Sequence, residues 1–69
     1  MTSKELKELK DAYETVFDEN GSVKACGRAV CLRLMYVMKK YSTANLGNFN
    51  TGVMEVDTIK SEYRRIIGQ

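Results

Sequence analysis

The 69-residue sequence has no histidine, no proline and only two cysteines. Histidine is the side chain that most often acts as a general base or a zinc ligand, and neither cysteine has a candidate base beside it. The sequence therefore predicts no catalytic residues and no metal site. Proline is the strongest helix breaker, and its absence permits long helices. We expect a helical protein that is not an enzyme and binds no cofactor.

The sequence also lacks a secretory signal pattern and an apolar run long enough to span a bilayer. These absences predict a cytoplasmic protein that does not associate with membranes. Cys26 and Cys31 are then expected to stay reduced. On one helix these two residues lie about 140° apart around the axis, where they cannot form a disulfide with each other.

Acidic residues are absent between Glu19 and Glu55. The formal net charge of the chain is +2, which by itself is too small to indicate affinity for nucleic acid or membranes. Its distribution is uneven, because residues 1–20 contain three lysines and six acidic residues, whereas residues 21–41 contain five basic residues and no acidic one. The middle of the chain is therefore strongly basic.

A chain of this length forms one domain near the lower size limit for a self-sufficient hydrophobic core. Hydrophobic residues make up 43% of the chain and charged residues 29%, which is typical of a folded globular protein. Contact with a partner or a second copy would bury additional surface. We therefore expect a protein partner or a homo-oligomer.

Helical periodicity divides the chain into three segments, and the predicted fold is all-α, a small three-helix bundle with a long central helix. The predicted helices span residues 3–19, 22–41 and 53–67, with a loop at 42–52. The first helix begins with a capping box formed by Thr2 and Glu5. Its apolar residues recur at a spacing of three or four and form one stripe. This stripe consists of Leu6, Leu9, Tyr13, Val16 and Phe17.

The central helix, SVKACGRAVCLRLMYVMKKY, contains more large apolar residues than either of the other predicted helices, so the other segments are expected to pack on it. Asn20-Gly21 is a stop signal for the first helix, and Ser22 can cap the central one. All charges on this helix are positive. Its expected core face consists of Val23, Gly27, Val30, Leu34, Val37, Met38 and Tyr41, with Cys26 and Cys31 at the margins.

The segment before the third helix is polar, STANLGNFNTG, with Leu46 and Phe49 as the expected anchors. A loop this long in so small a domain is either a spacer or a binding surface. An alternative interpretation makes residues 53–56 extended and lets Asp57 cap a shorter third helix. The apolar face of the third helix consists of Val56, Ile59, Tyr63, Ile66 and Ile67.

The stretch NGSVKACGRAVCLRLMYVMKKY resembles the helix-turn-helix of small phage and bacterial DNA-binding regulators. Gly27 takes the small position of the first helix in that pattern, whereas Cys31 stands where a turn glycine is usual and Lys40 replaces the last core residue. The resemblance implies a bend at Cys31–Arg33, which would interrupt the core face described above, so we favour an unbroken helix. The residues that would then contact base edges are Arg33, Leu34, Tyr36 and Lys39, and Lys24 and Arg28 would contact phosphates.

Leu32, Met35 and Tyr36 lie off the expected core face and are mixed with basic residues. Aromatic, methionine and arginine side chains are enriched in protein interfaces, although the loop or the third helix could also cover this side. The predicted partner-binding residues are Arg28, Leu32, Arg33, Met35, Tyr36 and Lys39. An alternative is an anion site at the start of the central helix, made of Ser22, Lys24 and Arg28.

The predicted function is that of a small non-enzymatic interaction or regulatory protein. It would bind a protein partner, or a second copy, through a mixed basic and apolar face of the central helix. The alternative is a DNA-binding regulator that uses a degenerate helix-turn-helix in residues 20–41. Small chains of this kind are common among phage and bacterial regulators.

Overall fold

The computed structural model describes residues 1–25 and 27–68 of the chain. Within them the chain forms three α-helices, α1 (Ser3–Val16), α2 (Arg28–Lys39) and α3 (Val56–Ile67). Strands β1 (Gly47–Asn48) and β2 (Val53–Met54) pair as an antiparallel hairpin between α2 and α3. The fold is mostly helical with a small sheet, so the prediction of an all-α bundle holds only for the helical part.

Helix α1 begins at the predicted capping box. The backbone N–H of Glu5 donates to Thr2 Oγ1, and the backbone N–H of Thr2 donates to Glu5 Oε1, both over 3.1 Å. The prediction that this helix continues to residue 19 is wrong, because Phe17 has extended backbone angles of φ −111° and ψ 141°. Three residues of α1 are fully buried in the core, namely Leu9, Ala12 and Val16.

The segment after α1 is a turn and not the predicted start of the central helix. Asp18 Oδ1 accepts hydrogen bonds from the backbone N–H groups of Asn20 and Ser22, each over 2.9 Å. Val23 forms an isolated antiparallel bridge with Phe17, and the neighbouring Lys24 N–H donates to the carbonyl of Val16. These bonds hold the chain in a reversal that a helix from Ser22 cannot adopt.

Residues 22–25 and Gly27 are not helical, which corrects the first part of the predicted core face. Val23 is 45% exposed and Gly27 is also exposed, so neither belongs to the core. The prediction for Cys26 lies outside the described residues. Gly27 serves as the N-cap of α2, with extended backbone and no side-chain hydrogen bond to the helix.

Helix α2 is continuous from Arg28 to Lys39, so the bend that a helix-turn-helix requires at Cys31–Arg33 is absent. The predicted burial of Leu34, Val37 and Met38 is confirmed. Val30 and Tyr41 are half-buried against the same core, and Cys31 is half-buried in α2.

The hairpin replaces part of the predicted loop and lies against α2. Gly47 pairs with Met54, and Leu46 just before the strand is buried at 2% exposure. Gly47 has φ +136°, and a Cβ on it would lie 2.3 Å from the carbonyl oxygen of Val53, so only glycine fits here. The predicted anchoring role of Leu46 is therefore confirmed.

Helix α3 starts at Val56, after the extended residues of β2, and Glu55 rather than Asp57 is its N-cap. The prediction of helix from residue 53 is wrong, and the alternative with extended residues before a shorter helix is closer to the structure. Its core residues are Ile59, Tyr63 and Ile66, whereas Ile67 is 38% exposed.

Candidate functional site

One side of α2 meets the hairpin through an aromatic contact. The ring centroids of Tyr36 and Phe49 lie 4.9 Å apart, with the ring planes tilted by 58°. Lys39 lies beside them, with its Nζ 5.2 Å from the centre of the Phe49 ring, within cation–π range. The turn of the hairpin therefore places an aromatic ring next to the solvent-facing side of α2.

A second contact joins the start of α2 to the other end of the hairpin turn. A Cβ on Gly52 would lie 2.3 Å from Arg28 Cγ, so the aliphatic part of Arg28 packs on the bare glycine backbone. Val53 follows directly and is 65% exposed. Leu32 lies between Arg28 and Tyr36 at a spacing of four residues, which puts these three side chains on one side of the helix.

We call this region the α2–hairpin surface. Its members are Arg28, Leu32, Tyr36, Lys39, Phe49 and Val53. Tyr36 is 53% exposed, whereas Leu32 and Phe49 are half-buried and pack against the core. The surface therefore has exposed apolar side chains at the top, and half-buried side chains beneath them attach it to the hydrophobic core.

The charges of this surface are positive. Helix α2 contains three charged residues, Arg28, Arg33 and Lys39, and all are basic. Arg33 pairs with Asp11 of α1 over 3.4 Å. Within residues 1–25 and 27–68, no ion pair is formed by Arg28 or Lys39.

Two of the six predicted partner-binding residues lie elsewhere. Met35 is fully buried, because the hairpin covers it and its Cε lies against Gly47. The interpretation that the loop segment covers this side of the helix is therefore right for Met35. Arg33 lies toward Asp11 and α1 and is not part of the α2–hairpin surface.

The predicted anion site is not assembled at a helix start. Ser22 lies six residues before α2, and its backbone N–H donates to Asp18 Oδ1. Lys24 Nζ donates to the backbone carbonyl of Glu14 over 2.8 Å, whereas Arg28 lies against the hairpin. The three residues therefore have separate local contacts.

Sequence reasoning missed Val53 as a member of the surface and assigned Phe49 only an anchoring role. A signal was present, because these are apolar residues in or next to a polar stretch with two glycines. The positive backbone φ of Gly52, +77°, and its N–H donating to the Asn48 carbonyl close the turn that presents both residues.

A second group of aromatic side chains lies between α1 and α3. The Tyr13 ring stacks on Tyr63 at 3.7 Å with planes 4° apart, and on Phe17 at 4.5 Å. Burial raises the pKa of Tyr13 and of Tyr63. Because both faces of the Tyr13 ring are occupied, this stack packs the helices together and Tyr13 offers no free ring face to a ligand.

A shallow cleft of about 450 Å³ adjoins this stack. Its lining residues are Tyr13, Glu14, Phe17, Asp18, Glu19 and Lys24. Asp18 accepts hydrogen bonds from backbone N–H groups of the turn after α1, and Lys24 Nζ donates to the Glu14 carbonyl of α1, so both charged side chains are already engaged within the fold.

In the described part of the chain, no group of three or more histidine, cysteine, aspartate or glutamate side chains is placed to hold a metal ion. Among the same residues, no helix has both the length and the apolar character needed to cross a membrane. Comparison of the chain with models of protein families, with curated proteins and with solved structures found no match.

Proposed function

We propose that this chain is a non-enzymatic interaction protein that binds another protein through the α2–hairpin surface. The observation that carries the proposal is the exposure of Tyr36, 53%, while its ring contacts Phe49 on the anchored hairpin. Exposed apolar patches mark interaction sites, and tyrosine and arginine are enriched in interfaces, where they contribute much of the binding energy.

The surface is suited to binding because little of it needs to be ordered when a partner arrives. Leu46 and Met35 are buried beneath the hairpin, and Gly47 allows the two layers to approach closely. Lost side-chain and loop freedom is a main cost of association, so a preformed surface retains more of the contact energy as affinity.

Site-specific cross-linking tests this proposal. A photoreactive benzoylphenylalanine in place of Val53 should give a discrete cross-linked protein product in cells that make the chain. The same residue in place of Lys10, which is exposed on α1, should not give that product. Mass spectrometry of the product distinguishes a different protein from a second copy.

A second substitution shows whether the product depends on the surface. Tyr36→Glu should lower the cross-linking yield from position 53 by roughly 5- to 30-fold, which corresponds to about 1–2 kcal/mol for an aromatic contact at an interface centre. Lys10→Glu is the control and should leave the yield unchanged. Equal yields from both variants, or no product from position 53, would contradict the proposal. Binding of the purified chain to duplex DNA, the alternative partner predicted from the sequence, is measured separately by gel shift.

A further inference from the structure

We propose that the partner segment at the α2–hairpin surface is acidic, with two carboxylates that flank apolar side chains. This inference rests on the proposed function and names the chemistry of its partner. The carboxylates would pair with Arg28 and Lys39, and the apolar side chains would contact Tyr36 and Phe49. Two features thus identify the partner: its charge is opposite to that of Arg28 and Lys39, and its apolar side chains fit the aromatic pair that lies between these two cations.

The pairing of the basic residues in the middle of the chain supports this inference. Three of the five have their charge bonded to an oxygen of α1, because Lys24 binds a backbone carbonyl, and Arg33 and Lys40 pair with acids over 3.4 and 3.2 Å. The other two, Arg28 and Lys39, form no ion pair within the described residues, and both belong to the α2–hairpin surface. Charges of one sign around an apolar centre favour partners of the opposite sign and suppress others.

The distance between Arg28 and Lys39 determines how far apart the two acidic residues of the partner segment must lie. Arg28 and Lys39 are eleven positions apart on one helix, so their Cα atoms lie about 16 Å apart along the axis. An extended partner segment covers that distance in about five residues, and a helical one in about eleven. The apolar side chains of the partner would lie between the two acids.

A displayed library of random dodecapeptides, selected on the purified full chain, tests the inference directly. We expect the selected peptides to be enriched in paired aspartate or glutamate residues that flank leucine or aromatic residues. Their binding should weaken at least tenfold in the double variant Arg28→Glu/Lys39→Glu and should fall as salt rises. The double variant Lys7→Glu/Lys10→Glu changes the net charge by the same amount on exposed positions of α1, and it should bind these peptides normally.

Both variants are expected to fold, because all four positions are exposed, and the favourable effect of an acid at the first residue of α2 offsets the unfavourable effect of one at its last residue. Circular dichroism verifies this. Selected peptides without acidic enrichment, whose binding needs Tyr36 but not Arg28 or Lys39, would overturn the acidic partner and leave the proposed function standing. A selection that yields no peptide whose binding depends on Tyr36 would also overturn the acidic partner. The cross-linking from position 53 decides the proposed function separately.

Discussion

Neighbouring residues of α2 differ sharply in exposure, and this difference defines the candidate surface. Met35 is fully buried and Tyr36 is 53% exposed, although neither lies on the core face that helical periodicity predicts. Met35 is buried because the hairpin backbone at Gly47 lies against its Cε. Residues far along the chain therefore decide which of these two side chains can meet a partner.

Truncation of these two side chains should have very different effects on stability. Met35→Ala should lower the free energy of unfolding by about 2–5 kcal/mol, because it leaves a cavity between α2 and the hairpin. Tyr36→Ala should lower it by about 1 kcal/mol or less, since the ring is half-exposed and its main contact is Phe49. Urea denaturation measures both values, and equal losses would contradict the packing described here.

Four of the six predicted partner-binding residues belong to the α2–hairpin surface, and the two exceptions have different causes. Arg28, Leu32, Tyr36 and Lys39 share one side of α2, as their spacing indicates. Arg33 lies five positions after Arg28, about 140° away around the helix axis, where it pairs with Asp11 of α1. Met35 is buried by the hairpin, and such a long-range contact leaves no periodic signal in the sequence.

The start of α2 shows where local helix signals were misleading. Ser22 is a preferred N-cap residue, but its backbone N–H and carbonyl both bond to Asp18, so it belongs to the turn after α1. The helix starts only after Gly27, which lacks a capping side chain. The hairpin was equally hard to predict, because strands of two residues are too short to show the alternation that identifies a strand.

The bare N-cap of α2 predicts a stabilising substitution. Gly27 has φ −79° and ψ 169°, which any residue can adopt, and within 4 Å a Cβ there meets none of the described residues other than its chain neighbours. Gly27→Asp would place a carboxylate at the free N–H groups of the first turn and at the positive end of the helix dipole. Its unfolding free energy should exceed that of the Gly27→Ala control by about 1 kcal/mol. Equal urea midpoints for the two variants would show that α2 does not begin at this position.

At the scale of the whole molecule, the end of α2 joins the other two helices. Tyr41 Oη donates to Glu5 of α1 over 3.0 Å. Ser42 Oγ donates to Glu62 of α3, and Arg65 of α3 donates to the Tyr41 carbonyl over 3.2 Å. Two carboxylates, one on α1 and one on α3, thus hold the same corner of the fold.

These hydrogen bonds lower the pKa values of both carboxylates, Glu5 and Glu62. The backbone and side chain of Thr2, followed by Tyr41, lower the pKa of Glu5 through hydrogen bonds. Hydrogen bonds from Arg65 and then Ser42 lower the pKa of Glu62. Because both values are lower in the folded chain, the resulting stabilisation is complete above the ordinary carboxyl pKa of 4.5 and is lost as the pH falls through the lowered values.

Removal of both carboxylates should therefore flatten the acid side of the stability profile. The double variant Glu5→Gln/Glu62→Gln should be less stable than the natural chain near pH 7, and its thermal midpoint should fall less between about pH 6 and about pH 3. The variant Glu14→Gln/Glu19→Gln removes the same charge from exposed positions whose side chains accept no hydrogen bond within the described residues. It should keep the steeper acid dependence of the natural chain. Parallel profiles for the two double variants would mean that net charge, and not the corner formed by Tyr41 and Ser42, governs acid unfolding.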